Sequence, residues 1–265
     1  MKLSILILNF RQETLCARLL RSLEKFAPNF PFEILLVDNC SGEENFLALQ
    51  SAVRGLPNTF QRKVQLLQTK KNLGFSAGNN FGLRRARGEF VAICNPDTEV
   101  FLPGTFERLV SFLQENEKVG VCGPKIIFSN GQTQDSFRAF PTIFDLLVKR
   151  TFLSRMFKKR LAKFLLWEID LSRPQKVDWL VGAFFVARRN ALESCGNFDE
   201  RFFLFFEDTE LCRLMWAKGW KVFFLPHVCV LHEKHRLSGR TLLGEILKKT
   251  FWIHVASGVK YFLKA

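Results

Sequence analysis

The chain has no Cys-x-x-Cys pair and no cluster of His with Cys, so its seven scattered cysteines point to neither a zinc site nor a disulfide framework. An odd, dispersed set of thiols fits a reducing compartment. There is one Tyr against thirty Phe, and no apolar stretch of roughly 18 residues free of charge, which leaves no membrane-spanning helix in view. The N-terminal run Leu3–Leu8 is too short for a signal peptide and leads into Asn9-Phe10-Arg11-Gln12-Glu13 without a small-residue cleavage site. It reads as a buried first strand of a cytosolic protein. No internal repeat or low-complexity linker is visible. Acid is also in short supply, with 25 Asp and Glu against 39 Lys and Arg. The resulting net charge of +14 implies an anionic partner, which by charge alone could be nucleic acid, anionic lipid or a phosphorylated substrate.

What is there is ordinary for a globular chain of 265 residues: 48% hydrophobic and 24% charged. Strand-length apolar runs alternate with helical stripes. Leu3–Leu8, Phe32–Val37, Val64–Leu67 and Glu89–Cys94 read as strands. Leu15, Leu19, Leu23 and Phe26 form a helical stripe ending before Pro28, Asn79–Arg87 looks helical, and Thr105–Glu117 is a further helix. In the second half, Val119–Gly123, Val177–Ala187 and Lys221–Leu225 read as strands and Glu207–Lys218 as a helix. This alternation predicts an α/β fold, a mainly parallel open sheet with helices on both faces.

Two nucleotide-binding classes are poor readings. The first strand is followed by Asn9-Phe10-Arg11-Gln12, without the glycines of a dinucleotide fingerprint, and no P-loop sequence occurs anywhere. Polar residues sit at the strand ends instead: Asn9, Asp38 with Asn39, Asn95-Pro96-Asp97, and later Glu207-Asp208. Ligands of open α/β sheets bind at that edge. A carboxylate there can hold Mg²⁺ or Mn²⁺, which bind through few protein carboxylates plus substrate phosphates. Asn-Pro-Asp is equally a turn with a solvated acid. The segment Asn72–Gly82 carries Gly74 and Gly78, which permit close backbone approach, and a helix starting near Asn79 would turn free N–H groups toward an anion.

Seven motifs in order then make a resemblance specific. They are Asn9-Phe10, Val37-Asp38-Asn39 with Ser41, the Asn72–Asn80 loop, Asn95-Pro96-Asp97, Asp178-Trp179 through Gly182-Ala183, Phe206-Glu207-Asp208, and His232. Together, over roughly residues 3–238, the chain resembles inverting family-two glycosyltransferases of GT-A fold, most closely the bacterial rhamnosyltransferase branch. The resemblance implies a nucleoside diphosphate sugar donor, with rhamnose the sugar that the branch suggests, and a hydroxyl acceptor on a surface-polysaccharide or lipid-linked precursor. It implies Asp97 and His232 as ligands of Mg²⁺ or Mn²⁺. Donor binding would fall to Asn9, Phe10, Asp38, Asn39, Asn72, Gly74, Gly78, Asn79 and Asn95, with Asp38 reading the base. Asp208 would be the general base, supported by Glu207, and Trp179, Gly182 and Ala183 would form the acceptor side. Each position has a structural alternative: an Asx turn for Asp38, favourable acids in a first helical turn for Glu207 and Asp208, a core indole for Trp179. A non-catalytic nucleotide-sugar-binding scaffold of the same fold is the alternative function.

Two basic amphipathic segments remain. Leu146–Trp167 holds seven Lys or Arg, with Leu153, Met156, Phe157, Leu161, Phe164 and Leu165 on one helical face. Leu242–Leu263 repeats the chemistry, with Leu247, Phe251, Val255 and Phe262 along one side and Lys248, Lys249 and Lys260 elsewhere. This is the pattern of interfacial helices at an anionic membrane. No nucleic-acid motif is recognisable. The expectation is a glycosyltransferase domain over 1–238 with an amphipathic insertion at 142–170, and a helical extension over 239–265. The enzyme would work in the cytoplasm, peripheral on the inner face of the cell membrane.

Overall fold

The computed structural model describes residues 1–150, 152–233 and 249–264. The strands are β1 (Leu3–Asn9), β2 (Phe32–Asp38), β3 (Val64–Gln68), β4 (Phe90–Cys94), β5 (Thr98–Glu99), β6 (Val119–Phe128), β7 (Phe137–Arg138), β8 (Gln175–Lys176), β9 (Trp179–Leu180), β10 (Phe184–Arg188) and β11 (Lys221–His232). The helices that matter below are α1 (Glu13–Lys25), α2 (Glu43–Arg54), α3 (Asn58–Gln61), α4 (Gly74–Leu83), α5 (Thr105–Glu115), α6 (Ile143–Arg150), α7 (Lys158–Leu165), α8 (Arg189–Ser194), α9 (Glu207–Ala217) and a C-terminal helix, Lys249–Lys264.

Among the described residues the main sheet runs β3-β2-β1-β4-β10-β6-β11-β5, with β8 on β11. β3, β2, β1 and β4 are parallel to one another, as are β6 and β11. The apolar runs explain this core. Every residue of β2 and β4 is buried, which only a sheet covered on both faces requires. The two-residue period of a strand then splits each run between two cores. Ile5, Ile7, Ile34, Leu36 and Ala92 join Leu19 and Leu23 of α1 and Phe106 and Leu109 of α5. Leu6, Leu35, Val91 and Ile93 face the other way, in the core that holds Leu211 and Met215 of α9. Each such side chain contributes about 1.5–3 kcal/mol on burial.

Five expectations need correction. The run Val177–Ala187 is not one strand. β9 pairs with β7 in a small separate sheet, the chain breaks at Val181-Gly182-Ala183, and β10 inserts antiparallel between β4 and β6. Helix α4 begins at Gly74, not near Asn79, because Leu73, Gly74 and Phe75 find acceptors for their N–H groups in Asn39, Asn72 and the Phe203 carbonyl. The late strand reaches His232, seven residues beyond Leu225.

The insertion, finally, is not one interfacial helix. α6 and α7 fold back on each other, tied by Arg160 Nε to Asp145 Oδ1 at 2.7 Å and by Phe144 stacked edge-on to Phe157. Phe164 and Leu165 are buried while Met156 and Phe157 are exposed, so the single apolar face does not form. On the C-terminal helix the inward side is Ser257, Gly258 and Tyr261, and Val255 faces outward. Leu242, Leu247 and Lys248 lie outside the described residues.

Candidate active site

The polar residues at the strand ends form one connected edge. Asn9 and Asp38 end β1 and β2 directly opposite each other, with Asn9 Nδ2 donating to Asp38 Oδ1 at 3.1 Å and to Ser41 Oγ at 3.1 Å. The Ser41 backbone and Gln68 Nε2 donate to Asp38 Oδ2, each at 3.3 Å. Asp38 is fully buried, so these donors are what make its carboxylate tolerable there. Two oxygens offer about four acceptor positions, so one remains on Oδ1.

Asn39 anchors the glycine segment. Its amide donates to Asn72 Oδ1 at 3.0 Å and to the Gly74 carbonyl at 3.1 Å, while its oxygen accepts from Leu73 N at 2.9 Å. Gly74 has φ +77°, and a Cβ there would lie 2.4 Å from the Phe203 carbonyl oxygen. Glycine is thus required by both backbone and space. Gly78 makes a close approach of its own: it lies inside α4, where a Cβ would meet Leu8 at 2.7 Å, so it lets the helix close on β1. Asn79 is buried in the same helix and donates to the Phe75 carbonyl at 2.9 Å. With the first N–H groups of α4 already bonded, that helix start is not the open anion cradle the sequence suggested.

A cleft of about 360 Å³ opens in front of this edge, a size suited to a small ligand. Phe10, Asn39, Asn72, Gly74, Asn95 and Asp97 line it, and so do Phe203, Leu204, Thr250 and Ile253. Asn9 and Asp38 stand behind that lining. The four residues from the 203–204 loop and the C-terminal helix were missed, since nothing in their local sequence marks them. The Phe206–Tyr261 ring contact at 5.4 Å and Ser257 Oγ donating to the Leu204 carbonyl at 2.8 Å hold that helix in place.

At one end of the cleft, His232 Nε2 lies 3.2 Å from Asp97 Oδ2. The last residues of β11 pair with β5, His232 opposite Thr98, and that register brings the two side chains together. His232 Nδ1 lies 2.5 Å from Gln134 Oε1, a partner unforeseen in the sequence. With Nδ1 engaged by that oxygen, the His232 Nε2 and the Asp97 carboxylate face the same point, a ring nitrogen oriented by a second partner beside a carboxylate oxygen. The donor set therefore fits a divalent ion. Among the described residues no group of three or more His, Cys, Asp or Glu surrounds it, so the remaining ligands of such an ion would come from substrate and water.

Asp208 lies in the first turn of α9, after two successive residues, Phe205 and Phe206, with φ of 69° and 67°. Such non-glycine backbone costs about 1–3 kcal/mol each and is held by surrounding packing. Its Oδ2 accepts from the Gly182 N–H at 2.8 Å and its Oδ1 from Thr209 N at 2.7 Å. Next to it, Glu207 is buried and its Oε2 has no hydrogen-bond partner. Burial pushes both carboxyls upward; Glu207 rises further beside the charge of Asp208. For Asp208, the Gly182 and Thr209 bonds and the charge of Arg138 pull back against burial. Such a pair of raised carboxyls is a usual mark of acid–base chemistry.

The acceptor-side residues link the two halves. Gly182 donates to Asp208, and the carbonyl of the next residue, Ala183, accepts from Asn95 N at 2.8 Å. Trp179 is no open sugar platform: it is 7% exposed, and its indole N–H donates to the Ala139 carbonyl at 3.0 Å. Glu210 is wholly buried and ion-paired to Arg213 at 2.8 Å and Lys264 at 2.6 Å.

The site thus lies on an α/β fold: a nine-stranded mixed sheet with a carboxylate edge, a cleft and a raised carboxyl pair. The sequence profile described as "Glycosyl transferase family 2" matches residues 4–196, and the chain belongs to that family of glycosyltransferases. It is 29% identical over 243 residues to an N-acetylglucosaminyl-diphospho-decaprenol L-rhamnosyltransferase of Mycobacterium tuberculosis, covering 84% of this chain and 73% of that one. Rhamnosyltransferase WbbL of Escherichia coli is 21% identical, with 72% and 70% covered. Among solved structures, GalNAc-T7 with UDP, GalNAc and Mn²⁺ superposes with a TM-score of 0.68 at 17% identity. The mannosyltransferase PcManGT of Pyrobaculum calidifontis, with GDP-Man and Mn²⁺, gives 0.60 at 18%. These two likenesses speak for the GT-A fold. This chain is covered to 90% and 87%, but spans only 45% and 56% of those longer chains.

Proposed function

We propose that the protein moves a sugar, rhamnose being the first to test, from a nucleoside diphosphate sugar to a hydroxyl of a polysaccharide or lipid-linked precursor, with inversion. The observation that carries this reading is the chain of contacts Asp208–Gly182–Ala183–Asn95, which ties a raised carboxyl to the wall of the cleft that ends in Asp97 and His232. Phe10 and Asn72 offer a ring and an amide to the nucleoside, on a turn held by Asn39, with Asp38 behind them available to accept from a pyrimidine imide. Asp97 and His232 would hold Mg²⁺ or Mn²⁺, which when bound supplies Lewis-acid stabilisation to the leaving diphosphate.

Asp208 acts as general base: it takes the proton of the attacking hydroxyl as the bond to the anomeric carbon forms and the bond to the diphosphate oxygen breaks. Gly182 and Thr209 orient it, and the raised position of its titration strengthens it as a base. Glu207 shares its buried environment, and the charge of Asp208 raises Glu207 in turn.

The test is donor turnover with Mn²⁺ or Mg²⁺, comparing wild type with Asp208→Asn and Asp97→Ala. Loss in both variants supports the assignment. Turnover untouched by Asp208→Asn removes the base, and no turnover by wild type with any nucleotide sugar favours a binding scaffold.

The same reading places the protein on the inner face of a membrane. No helix among the described residues is long and apolar enough to cross one. Trp252, Val259 and Leu263 of the C-terminal helix and Ile143, Leu147, Met156 and Trp167 near the insertion are exposed, and Lys158, Lys159 and Lys163 accompany them. Flotation with anionic liposomes at moderate salt tests this; protein that stays at the bottom of the gradient refutes it.

A further inference from the structure

Arg138 is a cation without a counterion next to the proposed base. Its guanidinium lies over the Trp179 ring, 5.4 Å from the centroid, and its Nη2 makes one long bond, 3.4 Å, to the Asp135 carbonyl. Its Nε is shielded from solvent without any hydrogen-bond partner. Among the described residues no carboxylate lies within ion-pair distance of it. Burial pulls its proton affinity down, and the charges that hold it up are Asp135 and Asp208. The residue is half-buried, and a guanidinium on an indole with one N–H shielded and unbonded is open to an anion.

The strand geometry supplies a second donor on the same side. Phe137 packs inward, its ring 4.1 Å from that of Phe224, so Ser136 and Arg138 point to the opposite face. Ser136 Oγ is likewise buried and without a partner, while the Ser136 carbonyl accepts from Val181 N, one residue before Gly182. One segment thus presents a hydroxyl and a guanidinium beside the residue that donates to Asp208.

We propose that Ser136 and Arg138 read an anionic oxygen group, phosphate or carboxylate, that the acceptor carries close to the hydroxyl being glycosylated. This rests on the transferase reading and deepens it by naming the acceptor class. Arg pairs such groups through two parallel N–H bonds, and Trp179 fixes the plane of the fork. Neutral acceptors would leave the cation unpaired and be disfavoured. An anion bound there also cancels the positive charge felt by Asp208, so acceptor docking would strengthen the base at the moment it is used.

The experiment is equilibrium titration of the full chain, its donor site filled with saturating dTDP and Mg²⁺. The probes are geranyl phosphate and methyl glucuronide, with geraniol and methyl glucoside as their neutral counterparts. Saturable binding of one anionic probe and not of its neutral counterpart is expected, and which one binds separates phosphate from carboxylate. Arg138→Gln should weaken that binding by about 10- to 100-fold, as for loss of a charged hydrogen-bonding partner. Arg138→Lys should weaken it less, and Ser136→Ala less again. Binding of neither anionic probe, or equal binding by wild type and folded Arg138→Gln, overturns the proposal. Should Arg138→Gln not fold, unchanged affinity in both Arg138→Lys and Ser136→Ala does the same. Donor turnover by wild type is read separately: turnover without anion binding removes this inference and leaves the transferase reading standing.

Discussion

The Gly182 backbone N–H donates to Asp208 Oδ2 at 2.8 Å, and a Cβ on Gly182 would stand 3.2 Å from the Asp208 Cβ. The break between β9 and β10 exists to make this approach. It turns the backbone N–H toward the carboxylate, where a regular strand would spend it on a ladder bond.

Asp208→Asn should therefore keep the fold, because the amide oxygen still accepts from Gly182 or Thr209, yet lose proton acceptance. A fall of about 10²- to 10⁴-fold in turnover is expected, the usual worth of a positioned base. Thermal unfolding within a few degrees of wild type, alongside steady-state kinetics, would establish that the loss is chemical.

The raised carboxyl pair fixes the sign of two pH effects. The base works as carboxylate, so activity should fall as pH drops through a value above the usual carboxylate range. For stability, Glu207 binds a proton in the folded chain at pH values where the unfolded chain has released it. Its contribution is thus fully present below about pH 4 and is lost as pH rises through the folded value. Glu207→Gln should melt above wild type at pH 7–8, by about 1–3 kcal/mol for relief of a buried unsatisfied acid, with the gap closing toward pH 4. A variant less stable than wild type at pH 8 would contradict this.

Divalent metal should act together with nucleotide. With only Asp97 and His232 offered by the described residues, Mn²⁺ alone should shift the melting temperature little, and Mn²⁺ plus a nucleoside diphosphate more than the sum of the two. Asp97→Ala should abolish the excess. A full shift from Mn²⁺ without nucleotide would argue for a complete protein cage elsewhere.

Gly74→Ala tests the floor of the cleft. The substitution combines a positive φ with a methyl pressed on the Phe203 carbonyl and ring, so a cost of about 1–3 kcal/mol is expected. Because Asn39 bonds the same turn, nucleotide affinity should fall with it. Differential scanning fluorimetry with and without dTDP reads both effects.

The strand ends were legible in the sequence because continuous apolar runs stop where polar residues begin. Asn9, Asp38, Asp97 and Asp208 follow such stops or the start of an amphipathic helix. The role of α4 was misread because Asn39 and the Phe203 carbonyl cap it from a distance, and a cap supplied by another element leaves no local trace. Trp179 left both an acceptor-side and a core reading open, because a core indole and an exposed one are spelled the same way. Gln134, Arg138 and the Thr250–Ile253 wall were invisible for a related reason: each acquires its partner across at least 40 positions of chain.

Local physics alone determined the alternation of buried strands and amphipathic helices, the polar edge, the glycine at 74 and the excess of positive charge. Periodicity and charge are properties of neighbouring residues, so a sequence carries them in full. Only the tertiary structure decided that β10 inserts antiparallel, that His232 meets Asp97, and that Arg138 stands unpaired beside Asp208. Those facts depend on register between strands far apart in the chain, and register is set by packing of the whole core.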